Sequence, residues 1–227
     1  VSDVGHPLAD VFPLHPDRLG VREVFGIAPD RIVVALLPGS RESEVRNLAD
    51  TYIRTARKMA ESDREICFLV PLATRQTREI FEQALRRNNA EDLALRMLFG
   101  HAVEAMTAAD VVLVASGTAS LEAALLKRPM VITYRIGPWQ YRLMKRMAYL
   151  PWVGLPNILC GEGIVPELLQ DDAVPDKLAT ELLAWLGDSE RRQALEARFT
   201  ELHLTLRQNT AEQAAAAILP YLGTHSG

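Results

Sequence analysis

Hydrophobic positions fall into short runs separated by amphipathic stretches. RIVVALL at 31–37, EICFLV at 65–70, LALRML at 93–98, DVVLVA at 110–115 and MVITY at 130–134 read as strands. These runs are continuous rather than alternating, the pattern of strands covered on both faces. Between the first two, Leu48, Tyr52, Thr55, Ala56 and Met59 recur at helical spacing and share one face. Further helices are predicted over 74–87, 101–108 and 118–127. Strand and helix in repeated alternation predict an α/β fold, a Rossmann-like parallel sheet with helices on both faces. After Tyr134 the pattern predicts no further strand. Residues 138–149 read as a basic, aromatic-bearing helix and 150–163, LPWVGLPNILCGEG, as an ordered loop. Helices are predicted at about 175–187, 189–207 and 209–221. Residues 1–16, with Pro7, Pro13 and Pro16, read as a hinge or linker. Residues 17–170 then form the Rossmann-like domain and 171–227 a C-terminal helical extension.

Composition narrows the class. A chain of 227 residues, 48% hydrophobic and 24% charged, sustains a packed core. It is neither disordered nor a disulfide-stapled module. A net charge of -4 gives no whole-chain reason to expect nucleic acid. Cys67 and Cys160 are far apart and in no CxxC, which fits a reducing compartment. His6, His15, His101, His203 and His225 show no HxH or HxxxH spacing, so no metal site is expected. No apolar run approaches the ~20 residues of a spanning helix. VSDVGHPLAD begins without Met and has no basic or apolar signal region. The chain is therefore expected to be part of a longer one.

Three segments carry candidate chemistry. LPGSRESEVR at 37–46 joins the first strand to its helix, at the strand end where open parallel sheets bind ligands. Gly39 permits close backbone approach, Ser40 is placed to cap the helix, and Arg41 offers a forked donor to phosphate. The same residues also suit a plain capped helix, with Glu42 and Glu44 favouring its dipole. VASGTASLEAALL at 114–126 repeats the arrangement. Ser116, Gly117 and Thr118 place hydroxyls and bare amides at a helix start. Glu122, a turn further in, is placed to accept hydrogen bonds from a ribose diol. No GxxxxGK[ST], GxGxxG or GxSxG is present. The third segment, 134–159, carries Arg135, Arg142, Lys145 and Arg146 with no acid, interleaved with Trp139, Tyr141 and Trp152. Such a stretch suits an anionic membrane surface or lipid, and equally a packed helix with a solvated basic face. No general base is evident at a strand end.

These motifs bring a family into view. VGHPLAD, LPGSRESEV, LVPLA, ADVVLVASGTASLEAALLKRPMVITYR, LPNILCG and FTELHLTLRQNTAEQAAAAIL occur in order, nearly end to end. Together they closely resemble the lipid-A-disaccharide synthases, in the latter part of the enzyme only. The resemblance implies the donor-binding half of a two-domain, B-type glycosyltransferase. Such an enzyme transfers 2,3-diacylglucosamine from its UDP donor to 2,3-diacylglucosamine 1-phosphate (lipid X). A β-1,6 disaccharide forms with inversion, and UDP leaves, without cofactor or metal. It also implies a cytoplasmic enzyme, peripheral on the inner membrane of Gram-negative bacteria, and in some members a homodimer through C-terminal helices. By the same resemblance Arg41 is catalytic, offsetting charge on the leaving UDP. Gly39, Ser40, Ser116, Gly117, Thr118, Glu122 and Asn157 hold the donor. Arg142, Lys145, Arg146 and Trp152 are candidate lipid or membrane contacts. Arg207, Asn209, Glu212 and Gln213 match the terminal R-x-N…EQ pattern and complete a site in the other half or a partner subunit. The chain alone is expected to be inactive. The alternatives are another UDP-sugar enzyme of the same architecture, such as a UDP-N-acetylglucosamine 2-epimerase, and a non-catalytic membrane-docking module.

Overall fold

Apolar side chains on both faces of a strand demand cover on both faces, and the computed structural model supplies it. It describes residues 5–63, 65–135 and 151–210. The predicted helix at 138–149, with Arg142, Lys145 and Arg146, lies outside those residues. So do Gln213 and nearly all of the helix predicted at 209–221.

Among the described residues six strands form one parallel sheet: β1 (Ile32–Leu37), β2 (Ile66–Leu72), β3 (Leu95–Phe99), β4 (Val111–Ala115), β5 (Met130–Tyr134) and β6 (Glu167–Leu169). Their order is β3-β2-β1-β4-β5-β6. β1 lies between β2 and β4, with Val34 beside Phe68 on one side and Leu36 beside Leu113 on the other. The chain steps outward from β1 to β3, then returns to build the other half from β4. Right-handed crossovers accordingly place α3 (Glu42–Ser62) and α4 (Arg75–Arg87) on one face. They place α5 (Ala102–Ala108) and α6 (Thr118–Leu125) on the other.

The structure differs from the sequence expectation in several places. β6 was not expected. It is a three-residue edge strand, Glu-Leu-Leu, half-buried throughout, and too short and too polar to register as an apolar run. The stretch expected to be loop contains α7 (Leu155–Cys160), which has Pro156 in its first turn and stops at Gly161 with φ 64°. Proline at a helix start and glycine past its end are helix punctuation rather than evidence against a helix. Within the supposed linker lies α1 (Pro7–Val11), followed by α2 (Arg18–Val24).

Among the described residues two long helices follow β6, α8 (Pro175–Gly187) and α9 (Ser189–Leu206). Leu178, Leu182, Trp185, Leu195, Phe199 and Leu202 belong to the same buried core as the sheet. The Trp185 indole N–H donates to the carbonyl of Met130 in β5, 3.2 Å away. α9 also holds the N-terminal segment. The His6 amide donates to Leu206 O at 2.9 Å, and the Asp10 carboxylate accepts from the amides of Asn209 and Thr210. Beneath them, buried His203 links Ala9 O through Nε2 and the Lys127 ammonium through Nδ1. Burial pushes Lys127 down to about 8 and also lowers His203.

Candidate functional site

A doubly wound sheet leaves a crevice at the carboxyl ends of its strands where the winding reverses, here between β1 and β4. A cleft of about 530 Å³ occupies that place, within the size range of small-ligand sites. The turn after β1 contributes Gly39, Ser40, Arg41 and Glu44. The turn after β4 contributes Ser116, Gly117, Thr118 and, from within α6, Glu122. Pro71, Leu72, Gly100, Ala102 and Tyr134 complete the wall. Two motifs more than seventy residues apart therefore face one space.

The two turns differ in what their amides do. At the second, Gly117 precedes α6 with φ 142°, a conformation reserved for glycine, and among the described residues no side chain caps the helix. Among the described residues its first amides have no side-chain partner, as an anion site requires. The Ser116 hydroxyl is turned away, donating to Val153 O at 3.2 Å. At the first turn the cap is not Ser40, as expected, but Arg41. Glu44 reaches back from the first turn of α3 and accepts from the amides of Ser40 (3.0 Å) and Arg41 (3.2 Å). Arg41 itself is exposed, and among the described residues no acid pairs with it. Glu122 is half-buried, and desolvation raises its carboxyl above the ordinary glutamate value.

Asn157 sits elsewhere. It is fully buried, and its amide is spent on the protein. Its Nδ2 donates to Val165 O (2.9 Å) and to Glu167 Oε1 (2.7 Å), and its Oδ1 accepts from Val165 N (3.0 Å). Through these bonds Asn157 holds α7 against β6. Glu167, which no sequence signal marked, accepts also from the amides of Val153 and Gly154 and so anchors the segment that Ser116 binds. Replacing Asn157 with alanine orphans both Val165 groups and is expected to cost about 2–4 kcal/mol in denaturant unfolding. Unchanged stability with weakened ligand binding would instead place it in the site.

The remaining predicted residues are dispersed. Trp152 is half-buried, its indole lying against Gly163, where an added Cβ would be 3.1 Å from Nε1. Arg207 and Asn209 are exposed at the end of α9, and the Asn209 amide is bound by Asp10. Another cavity, of about 480 Å³, lies at the amino ends of the strands, lined by Cys67, Arg31 and Arg96. Both arginines there already bond the protein, to Glu65 and to Phe25 O. Among the described residues no group of three His, Cys, Asp or Glu suits a metal ion, and no helix is long and apolar enough to cross a membrane.

Residues 1–218 match the family model described as lipid-A-disaccharide synthetase. The chain belongs to that family. A curated lipid-A-disaccharide synthase of Azoarcus sp. is 71% identical over 99% of this chain, and one of Aromatoleum aromaticum is 70% identical over 98%. In both cases the alignment covers 57% of the relative, so the chain spans little more than half of their length. Among solved structures, WaaG, a glycosyltransferase involved in lipopolysaccharide biosynthesis, superposes with a TM-score of 0.59 at 20% identity. The match covers 88% of this chain and 50% of that one. Anabaena HepE, solved with UDP and glucose, gives 0.60 at 14%, covering 93% of this chain and 55% of that one. The C-terminal domain of LpcC from Francisella tularensis gives 0.59 at 15%, covering 90% of this chain and all of that one. At these identities the likeness is one of fold alone: a Rossmann-like parallel sheet with helices on both faces.

Proposed function

We propose that this chain is the donor-binding part of a lipid A disaccharide synthase, a glycosyltransferase moving 2,3-diacylglucosamine from UDP to lipid X. The observation that carries the reading is the meeting of the two turns and Glu122 at the switch-point crevice. A UDP donor needs cationic and amide donors for its diphosphate and an acceptor for its ribose diol. Arg41 and the open amides at the start of α6 supply the first, and Glu122 the second. As the anomeric bond breaks, negative charge grows on the departing UDP. A fixed guanidinium beside it lowers the barrier by binding that charge more strongly than the donor's. The acceptor's proton is taken by a group in the rest of the enzyme, so this chain by itself binds UDP without turnover. In the same reading the enzyme sits peripherally at the cytoplasmic face of the inner membrane, with the basic segment around 134–152 facing lipid and a homodimer formed through the C-terminal helices.

Calorimetric titration with UDP tests the donor assignment. Glu122→Ala is expected to weaken binding about tenfold, the value of one charged hydrogen bond. Because desolvation raises the Glu122 carboxyl, it protonates at a higher pH than an ordinary glutamate. Affinity therefore falls as pH drops toward that value, and Glu122→Gln removes the dependence. An unchanged affinity in Glu122→Ala and Arg41→Ala together defeats the assignment. Preference for diacylated over unacylated UDP-glucosamine separates this reading from other UDP-sugar enzymes. Liposome binding without UDP binding would favour a membrane-docking module.

A further inference from the structure

The turn after β1 already holds an anion, and it is the chain's own. Glu44 Oε2 accepts from the amides of both Ser40 and Arg41. It lies so close over Gly39 (φ 116°) that a Cβ there would come within 2.4 Å of that oxygen. Glu44 also lines the same crevice as Arg41, Thr118 and Glu122. Among the described residues, the turn after β4 presents its helix amides with no side-chain cap. Among the described residues, then, one turn carries no side-chain anion and the other carries Glu44.

We propose that the Glu44 carboxylate is the resting occupant of the phosphate-binding turn, and that a nucleotide diphosphate binds by displacing it. This deepens the reading of the crevice as a UDP-sugar site and rests on it. A carboxylate and a phosphate present the same thing to an N–H group, an anionic oxygen. Two anions do not share two amides, because like charges about 4 Å apart repel even near a surface. Binding is therefore an exchange. Two amide bonds to a half-exposed side chain are given up for two to the ligand, and the net gain is smaller than a vacant turn would give. Exchange also acts on the way out. Once the sugar has left, Glu44 swings back to amides that UDP must surrender, so the same residue that limits affinity promotes product release. Gly39 is what makes this possible, since any side chain there would fill the place where the carboxylate lies.

Glu44→Gln separates displacement from simple bracing. The glutamine oxygen still reaches both amides but carries no charge. If Glu44 is displaced, Glu44→Gln binds UDP about five- to tenfold more tightly than the parent chain, measured by calorimetry at low salt. Glu44→Asp, too short to reach both amides, also gains. Glu42→Gln serves as the control. Glu42 is an exposed acid in the same turn that does not contact those amides, and its removal shifts affinity less than twofold. Unchanged or weaker binding in both Glu44 variants overturns the proposal, as does an equal gain in Glu42→Gln, which would reduce the effect to general charge. If Arg41→Ala and Glu122→Ala weaken UDP binding while the Glu44 variants do not strengthen it, the displacement fails and the donor site stands. If the Arg41 and Glu122 variants have no effect, the site itself fails.

Discussion

Arg41→Ala is expected to weaken UDP binding by roughly 10- to 100-fold, with little change in melting temperature. The reasoning starts from exposure. Arg41 stands at the mouth of the crevice and, among the described residues, has no acidic partner, so the fold does not depend on its guanidinium. A hydrogen bond between charged groups contributes about 1.5–3 kcal/mol, and each 1.4 kcal/mol is tenfold in affinity. Arg41→Lys keeps the charge but loses the planar fork, so it recovers only part of the loss. Salt provides a second check. The difference between parent and variant shrinks as ionic strength rises, because the contact is solvent-accessible. An Arg41→Ala chain that binds UDP as well as its parent would show that the diphosphate lies elsewhere.

Arg22 carries the largest expected effect on stability. Its side chain is 1% exposed, at the amino end of the sheet, far from any proposed ligand. Nε donates to Ala108 O, one terminal nitrogen to both Pro29 O and Arg31 O, and the other to Asp110 Oδ2 at 2.8 Å. Asp110 in turn receives Arg18 and the Val33 amide. One guanidinium thus ties the loops that start β1 and β4, the two central strands. Removing it orphans three carbonyls and uncovers a carboxylate. Arg22→Met, which keeps much of the volume, is expected to lose about 3–5 kcal/mol. For a domain of this size that is a fall of about 10 °C in Tm. Arg31→Ala is the contrast. Its pair with Glu65 is largely in water, and its loss is expected to cost under about 1 kcal/mol. Equal effects from the two variants would contradict this account.

What was legible in the sequence follows from what periodicity can carry. Strands buried on both faces leave unbroken apolar runs, so β1, β2, β4 and β5 stood out, and the helices between them followed. β6 left no such run, because an edge strand of three half-buried residues need not be apolar. At the site, residue type and position were enough to bring Gly39, Arg41, Gly117 and Glu122 forward, since glycine and charge at strand-to-helix turns have few uses. Partnerships were not legible. Glu44 read as an acid that favours the helix dipole, and only its rotamer shows that it has taken the amides of Ser40 and Arg41. Asn157 drew attention as a polar residue in a loop, but its partners lie eight and ten residues further along. Glu167, the acid that fastens the 153–157 segment, sits in an otherwise unremarked strand.

The sheet's two margins have a bearing on colloidal behaviour. Among the described residues its outermost strands are β3 and β6, five and three residues long. An unpaired strand is a template on which another molecule's strand can grow, and long, flat, apolar margins are the usual route to aggregates. Here one margin carries Arg96 within a half-exposed strand, and the other begins with Glu167, whose carboxylate is already engaged by the neighbouring backbone. Each offers too short a ladder, with a charge built into it, for a foreign strand to extend. The most apolar segments, which would be the most adhesive if laid bare, lie at the centre of the sheet with neighbours on both sides.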